Sequence, residues 1–198
     1  EVVFKENLIF LANFKYSLID NFDELYIPPV NTYPNQVRSD IKKYLNNFND
    51  GVILGRFELN YFNSIDRKHF FRISAGLFEE MFGGIGLDYL FHPEGSNLSF
   101  GFESYFLKKR DYSLDFNFQK YSNVATRADV NYFEPYTNIN LNLSYGEYLA
   151  GDIGYTLNLS RRFDNGIEFG VFFSSTNVPI ELYGEGSFDK GIKMKIPF

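Results

Sequence analysis

The chain has 198 residues and no cysteine, which excludes disulfides, thiol catalysis and cysteine-held metals. Its net charge of -6 is spread rather than blocked, which argues against nucleic acid as a partner, and no run approaches the ~18 continuous apolar residues of a membrane helix. Aromatics reach 20%, with 24 Phe and 15 Tyr but no Trp, yet the mean hydropathy is only -0.25 because oily residues are offset by polar ones.

That offsetting has a period of two, the signature of strands with two chemically different faces. Residues 2–16 read as a first strand, with Leu8, Phe10, Ala12, Phe14 and Tyr16 on one face and Asn7, Asn13 and Lys15 on the other. Residues 17–51 break the pattern. Pro28-Pro29 and Pro34 hold an extended segment, Val37, Ile41, Tyr44 and Leu45 predict one short helix near 36–46, and Asp50-Gly51 closes with a turn. So long a connection predicts a plug-like or periplasmic docking insertion within a single domain spanning 1–198.

Strands are then predicted near 52–62, 70–81, 84–92, 97–107, 112–121, 124–134, 138–147, 151–162, 167–177 and 189–197. In the first of these, Ile53, Gly55, Phe57, Leu59 and Tyr61 alternate with Leu54, Arg56, Glu58 and Asn60. Gly83-Gly84, Pro93-Glu94-Gly95, Arg110-Asp111, Glu134-Pro135 and Asp164-Asn165-Gly166 supply the turns. The expected fold is all-β: an antiparallel up-and-down meander of ten or eleven strands, forming a transmembrane β-barrel of the outer-membrane type or part of one. Single-chain bacterial barrels have even strand numbers, so a count of eleven means that one assignment fails or that strands are missing from this chain. The start at Glu1 favours the second expectation. A soluble sandwich or lipocalin-like ligand-binding barrel alternates equally well, with its oily face inward; the density of rings on the oily face favours lipid.

If that phase is right, Arg56, Glu58, Arg72, Asp88, Glu103, Tyr105, Asp115, Tyr121, Arg127, Asp129 and Glu168 face a lumen. Such a row can select by charge and size, with tyrosines to stack on sugar, or can be an internal network that stiffens a narrow barrel. No cofactor, metal or catalytic residue is expected. A barrel enzyme would need a base beside a nucleophile, and only His69 and His92 are on offer, the latter with Glu94 and Ser96 nearby. Gly184–Gly191 lacks the Lys-Ser/Thr ending of a phosphate loop and reads as a glycine-organised turn.

Several strings are more specific: Val37-Arg38-Ser39-Asp40-Ile41, the run from Ala75 through Phe78-Glu79-Glu80-Met81-Phe82 to Gly86, Tyr148-Leu149-Ala150-Gly151-Asp152, Arg162-Phe163-Asp164-Asn165-Gly166, and the run from Gly184 to Ile192. In this order and spacing they resemble the YjbH-like family, Gram-negative outer-membrane proteins associated with exopolysaccharide and group 4 capsule production. The resemblance covers about Val37 to Phe198 and implies a bacterial outer-membrane location, with the lipid bilayer, a polysaccharide and periplasmic or lipoprotein partners of a secretion system as neighbours. It implies a non-enzymatic role in polysaccharide production or export, or a docking barrel that does not conduct. Family members are usually longer and continue past the last strand. Phe198, after Ile192, Met194 and Ile196, is therefore not expected to be an assembly signal, and Pro197 beside it fits one poorly.

Overall fold

The computed structural model describes residues 2–18, 21, 24, 40–47, 51–149, 151–177 and 188–197. They form eleven strands and a short helix: β1 (Val2–Lys5), β2 (Leu8–Lys15), α1 (Ile41–Asn46), β3 (Ile53–Ser64), β4 (His69–Leu77), β5 (Phe82–Phe91), β6 (Leu98–Arg110), β7 (Phe118–Glu134), β8 (Ile139–Glu147), β9 (Ile153–Arg162), β10 (Glu168–Thr176) and β11 (Phe188–Lys195). Each strand pairs antiparallel with the one before it, in sequence order, so the meander is as expected. Among the described residues the sheet is open, with β1 and β11 each paired on one side only, so the expected barrel is not closed.

The count of eleven arises from two compensating differences. Residues 2–16 are a hairpin rather than one strand, because Glu6-Asn7 turns the chain. The two strands expected at 112–121 and 124–134 are one long strand, β7, which begins only at Phe118. Ser122-Asn123 does not break it, because the irregularity is absorbed in the pairing: Lys108 faces Ser122 while Arg110 faces Phe118. The helix spans only Ile41–Asn46. Pro28-Pro29, Pro34, Val37 to Ser39, Asp50, Ala150, Gly184 to Ser187 and Phe198 lie outside the described residues.

The two faces separate cleanly. One carries Leu59, Ile73, Ile85, Leu87, Phe102, Val130, Leu143, Leu159 and Phe169, all exposed. Its rings collect toward the short turns at 65–68 and 92–97, where Tyr61, Phe71, Tyr89, Phe91 and Phe100 lie together with His69. Tyr145 and Tyr155 oppose one another toward the other end. Ser104 and Thr126 also lie on this face and bond to each other at 2.9 Å. The opposite face holds most of the charges and most of the strand glycines: Gly76, Gly84, Gly86, Gly101, Gly146, Gly154, Gly170 and Gly191. Small residues on one face and bulky ones on the other let a sheet curl toward the small side. Residues from β3 through β8 accordingly line one cavity on the polar face. At Gly76, opposite Gly84, φ is 139° and a Cβ would meet the Phe57 carbonyl oxygen at 2.2 Å, so only glycine fits.

One phase assignment is corrected. Asn13 pairs with Arg56 but Phe14 pairs with Leu54, so Gly55 is an extra residue in β3. The bulge flips Ile53 to the polar side, away from the row of Phe57 and Leu59. There Ile53 joins Tyr44, Met81, Phe82, Leu107 and Leu114 in a small core at one end of that face. α1 is too short to hold itself by helix propensity and is fixed by this packing.

Candidate functional site on the polar face

The cross-strand register decides which charges meet. On β3, Glu58 is almost fully buried and accepts from Arg56 at 2.7 Å and Asn60 at 2.8 Å; Ser74 on β4 donates to Asn60 at 2.7 Å. Arg72 and Asp88 sit opposite each other and form a two-pronged pair at 2.9 and 3.1 Å. The Tyr105 hydroxyl donates to Asp88 at 2.7 Å and accepts from Arg72 at 3.0 Å, and its ring lies over Gly86. Glu103 and Arg127 face each other and are ion-paired. Eight of the eleven sequence-predicted positions thus lie together on one surface: the seven just named, which are paired, and Asp129, which covers Gly101.

The remaining three lie apart. Tyr121 is on the same face but packs edge-on to Phe82 in the core, with its hydroxyl on the Leu149 carbonyl at 3.1 Å. Glu168 stands at the far end, opposite Arg162 and Lys195. Asp115 is not on a strand face: it lies in the 111–117 loop, where its carboxylate accepts from the Asn117 amide, a bond that holds it below the ordinary carboxylate range.

Beyond Arg127 the surface changes from ion pairs to neutral groups. Asn142 donates to Asn131 at 2.8 Å, Asn158 to Asn142 at 3.0 Å, and Lys193 to Asn158 at 3.3 Å. Tyr148, Thr156 and Ser174 form a hydroxyl chain with both links at 2.6 Å. This half is not among the sequence-predicted residues, although Asn140, Asn142 and Asn158 alternate visibly within their strands.

The cavity on this face has a volume of about 380 Å³. Phe78, Phe82, Leu107, Ala125 and Leu149 form its apolar lining; Arg56, Arg72, Arg127, Glu79, Glu103 and Glu147 converge on it, and Tyr105 and Tyr148 supply rings. Glu79, in the turn 78–81, is pushed up to about 7, first by burial and then by Glu80, against the pull of Arg110 and Lys15. At the helix end, Asp40 takes Lys109 Nζ at 2.5 Å and the Tyr112 hydroxyl at 2.8 Å, and the Tyr44 hydroxyl donates to the Arg110 carbonyl at 2.7 Å. Burial, then the bond to Asp40, pushes Tyr112 up to about 12.

The histidines are not part of this cavity. His69 lies on the apolar face, 2.5 Å from the Tyr89 hydroxyl and stacked on Phe91. His92 and Ser96 border a separate hollow whose other lining groups include Asn97, Asn131, Asn140 and Ser160 but no carboxylate.

The family model described as "Exopolysaccharide biosynthesis protein YbjH" matches residues 1–198. The chain belongs to the YjbH family. Over 198 residues it is 30% identical to a relative from Escherichia coli (strain K12) named "Uncharacterized lipoprotein YjbH", covering 97% of this chain. It spans 28% of that relative's length. No solved structure matches it. Membership agrees with the resemblance in the strings quoted above.

Proposed function

We propose that this chain forms wall of an outer-membrane β-barrel serving exopolysaccharide production or export, without itself catalysing a reaction. Its apolar face meets lipid and its curled polar face meets water and glycan. The observation that carries this is the exposed apolar face: a row of Ile, Leu, Val and Phe with rings toward the strand ends, backed by a polar concave surface. The lengths fit as well. Strands β3 to β10 have 9 to 17 residues, and a tilted transmembrane strand needs ~9–11. No helix among the described residues is long and apolar enough to cross a membrane.

Because neighbours alternate in direction, β1 and β11 run the same way, and closing the sheet on itself would pair them in parallel. An odd number of further strands restores an antiparallel ring, which is the reason for reading the sheet as part of a barrel. The E. coli relative is named a lipoprotein, and a lipid anchor would hold such a protein at the same membrane.

Fractionation tests the reading. The protein should sediment with outer membranes, require detergent for extraction, and show heat-modifiable electrophoretic mobility. Recovery in aqueous buffer without detergent would sink it in favour of a soluble ligand-binding barrel. A docking role without conduction draws support from α1, since Tyr44 and the core fill one end of the polar face. Planar-bilayer conductance separates the two roles.

A further inference from the structure

We propose that the cavity lined by β3 to β8 is a binding site for one uncharged sugar residue of a polysaccharide. The inference rests on the proposed function and narrows it to a site and a ligand class. Several features converge. The size, about 380 Å³, lies within the ~300–1,000 Å³ of small-molecule sites. The lining is divided as a pyranose is divided: an apolar floor of Phe78, Phe82 and Leu107 and the ring of Tyr148 for its C–H face, and a charged rim for its hydroxyls.

Charge selects among sugars. Each guanidinium on the rim is already paired, Arg56 with Glu58, Arg72 with Asp88 and Arg127 with Glu103, while Glu79 and Glu147 add carboxyl groups. Among the described residues that line the cavity, no cation is left over for a uronate or a phosphate-bearing sugar. A neutral sugar needs none, because the paired groups keep spare donors and acceptors for hydroxyls.

A second observation concerns Glu79, which lines the same cavity. Glu79 Oε1 is buried and has no hydrogen-bond partner among the described residues. Buried acceptors are rarely left so, and an O–H or N–H donor would satisfy it. A sugar hydroxyl is such a donor. The ring of Tyr148, with the Arg127 guanidinium 5.2 Å from its centroid, supplies a stacking surface in the same lining.

The test uses purified protein in detergent micelles, with neutral gluco- and galacto-oligosaccharides against oligogalacturonate. Saturation-transfer NMR should carry signal to ring C–H protons of a neutral oligosaccharide, and calorimetry should rank the neutral series tighter. Glu79→Ala and Tyr148→Ala should each weaken binding tenfold or more. Glu79→Gln, which keeps an acceptor oxygen, should stay within about threefold, and Ser99→Ala, away from the cavity, should not change it. Heat-modified mobility and circular dichroism establish that each variant is folded. Tighter binding of oligogalacturonate, no binding of either class by folded protein, or unchanged binding in both alanine variants would overturn the proposal. Insertion into phospholipid vesicles is scored separately. Inserted protein that ignores sugar defeats the pocket alone, whereas sugar binding without insertion defeats the barrel and spares the pocket.

Discussion

Glu79 shows how much a single residue's surroundings decide. In sequence it is one of two adjacent acids before Met81 and Phe82, and nothing local distinguishes it from Glu80. In the fold Glu80 pairs with Lys15, whereas Glu79 is turned into the cavity and pushed from an ordinary 4.5 up to about 7. Between those values the folded protein binds a proton that the unfolded chain has released, so stability falls as pH rises. Through Glu79, urea midpoints should therefore decline from about pH 4.5 through about 7 and level off above it, with a total loss on the order of 3 kcal/mol. In Glu79→Gln that decline should vanish; an unchanged slope would assign it to another group.

Arg110 belongs to the scale of elements, because its side chain ties three of them together. It is fully buried and donates to the carbonyls of Leu54 in β3, Glu79 in the 78–81 turn, and Leu114 and Asp115 in the 111–117 loop, at 2.6 to 3.2 Å. In the sequence it is only a residue beside a turn. Its role depends on β3 being brought next to the β6–β7 loop from more than fifty residues away. Arg110→Met keeps the bulk but strips partners from these carbonyls. It should cost about 2–4 kcal/mol in unfolding free energy and expose the 111–117 loop to limited proteolysis first. The bulge at Gly55 belongs to the same scale. Alternation was legible along all of β3, but one unpaired residue reversed the side on which Ile53 falls. The polar residues from Arg56 onward share one face because they lie beyond it. Asp115 was misplaced for a related reason: a period of two carries no information once the chain leaves the strand.

For the whole molecule the question is which solvent covers the apolar face. Leu87 stands near the middle of β5 and is 43% exposed. On a water-facing surface Leu87→Arg would change stability by roughly ±0.5 kcal/mol. In lipid an arginine near the midplane costs ~2–4 kcal/mol, so refolding into vesicles should be impaired by that amount and much less in Ser99→Arg on the polar face. Equal, small effects would mean that the face is not lipid-facing.

By itself the sequence determined a strand-rich meander with one oily and one polar face, and the strings that place it in its family. Those properties are local: alternation and turn residues act over a few positions. Only the tertiary structure decided that the sheet curls toward its glycine-bearing face, that Arg72 meets Asp88 and Glu103 meets Arg127, and that α1 closes over one end. It also separated the ion-paired half of the polar face from the amide and hydroxyl half, and left Glu79 facing the cavity. Register, bulges and burial arise from contacts between segments distant in the chain, and a pattern of period two cannot say which partner stands opposite.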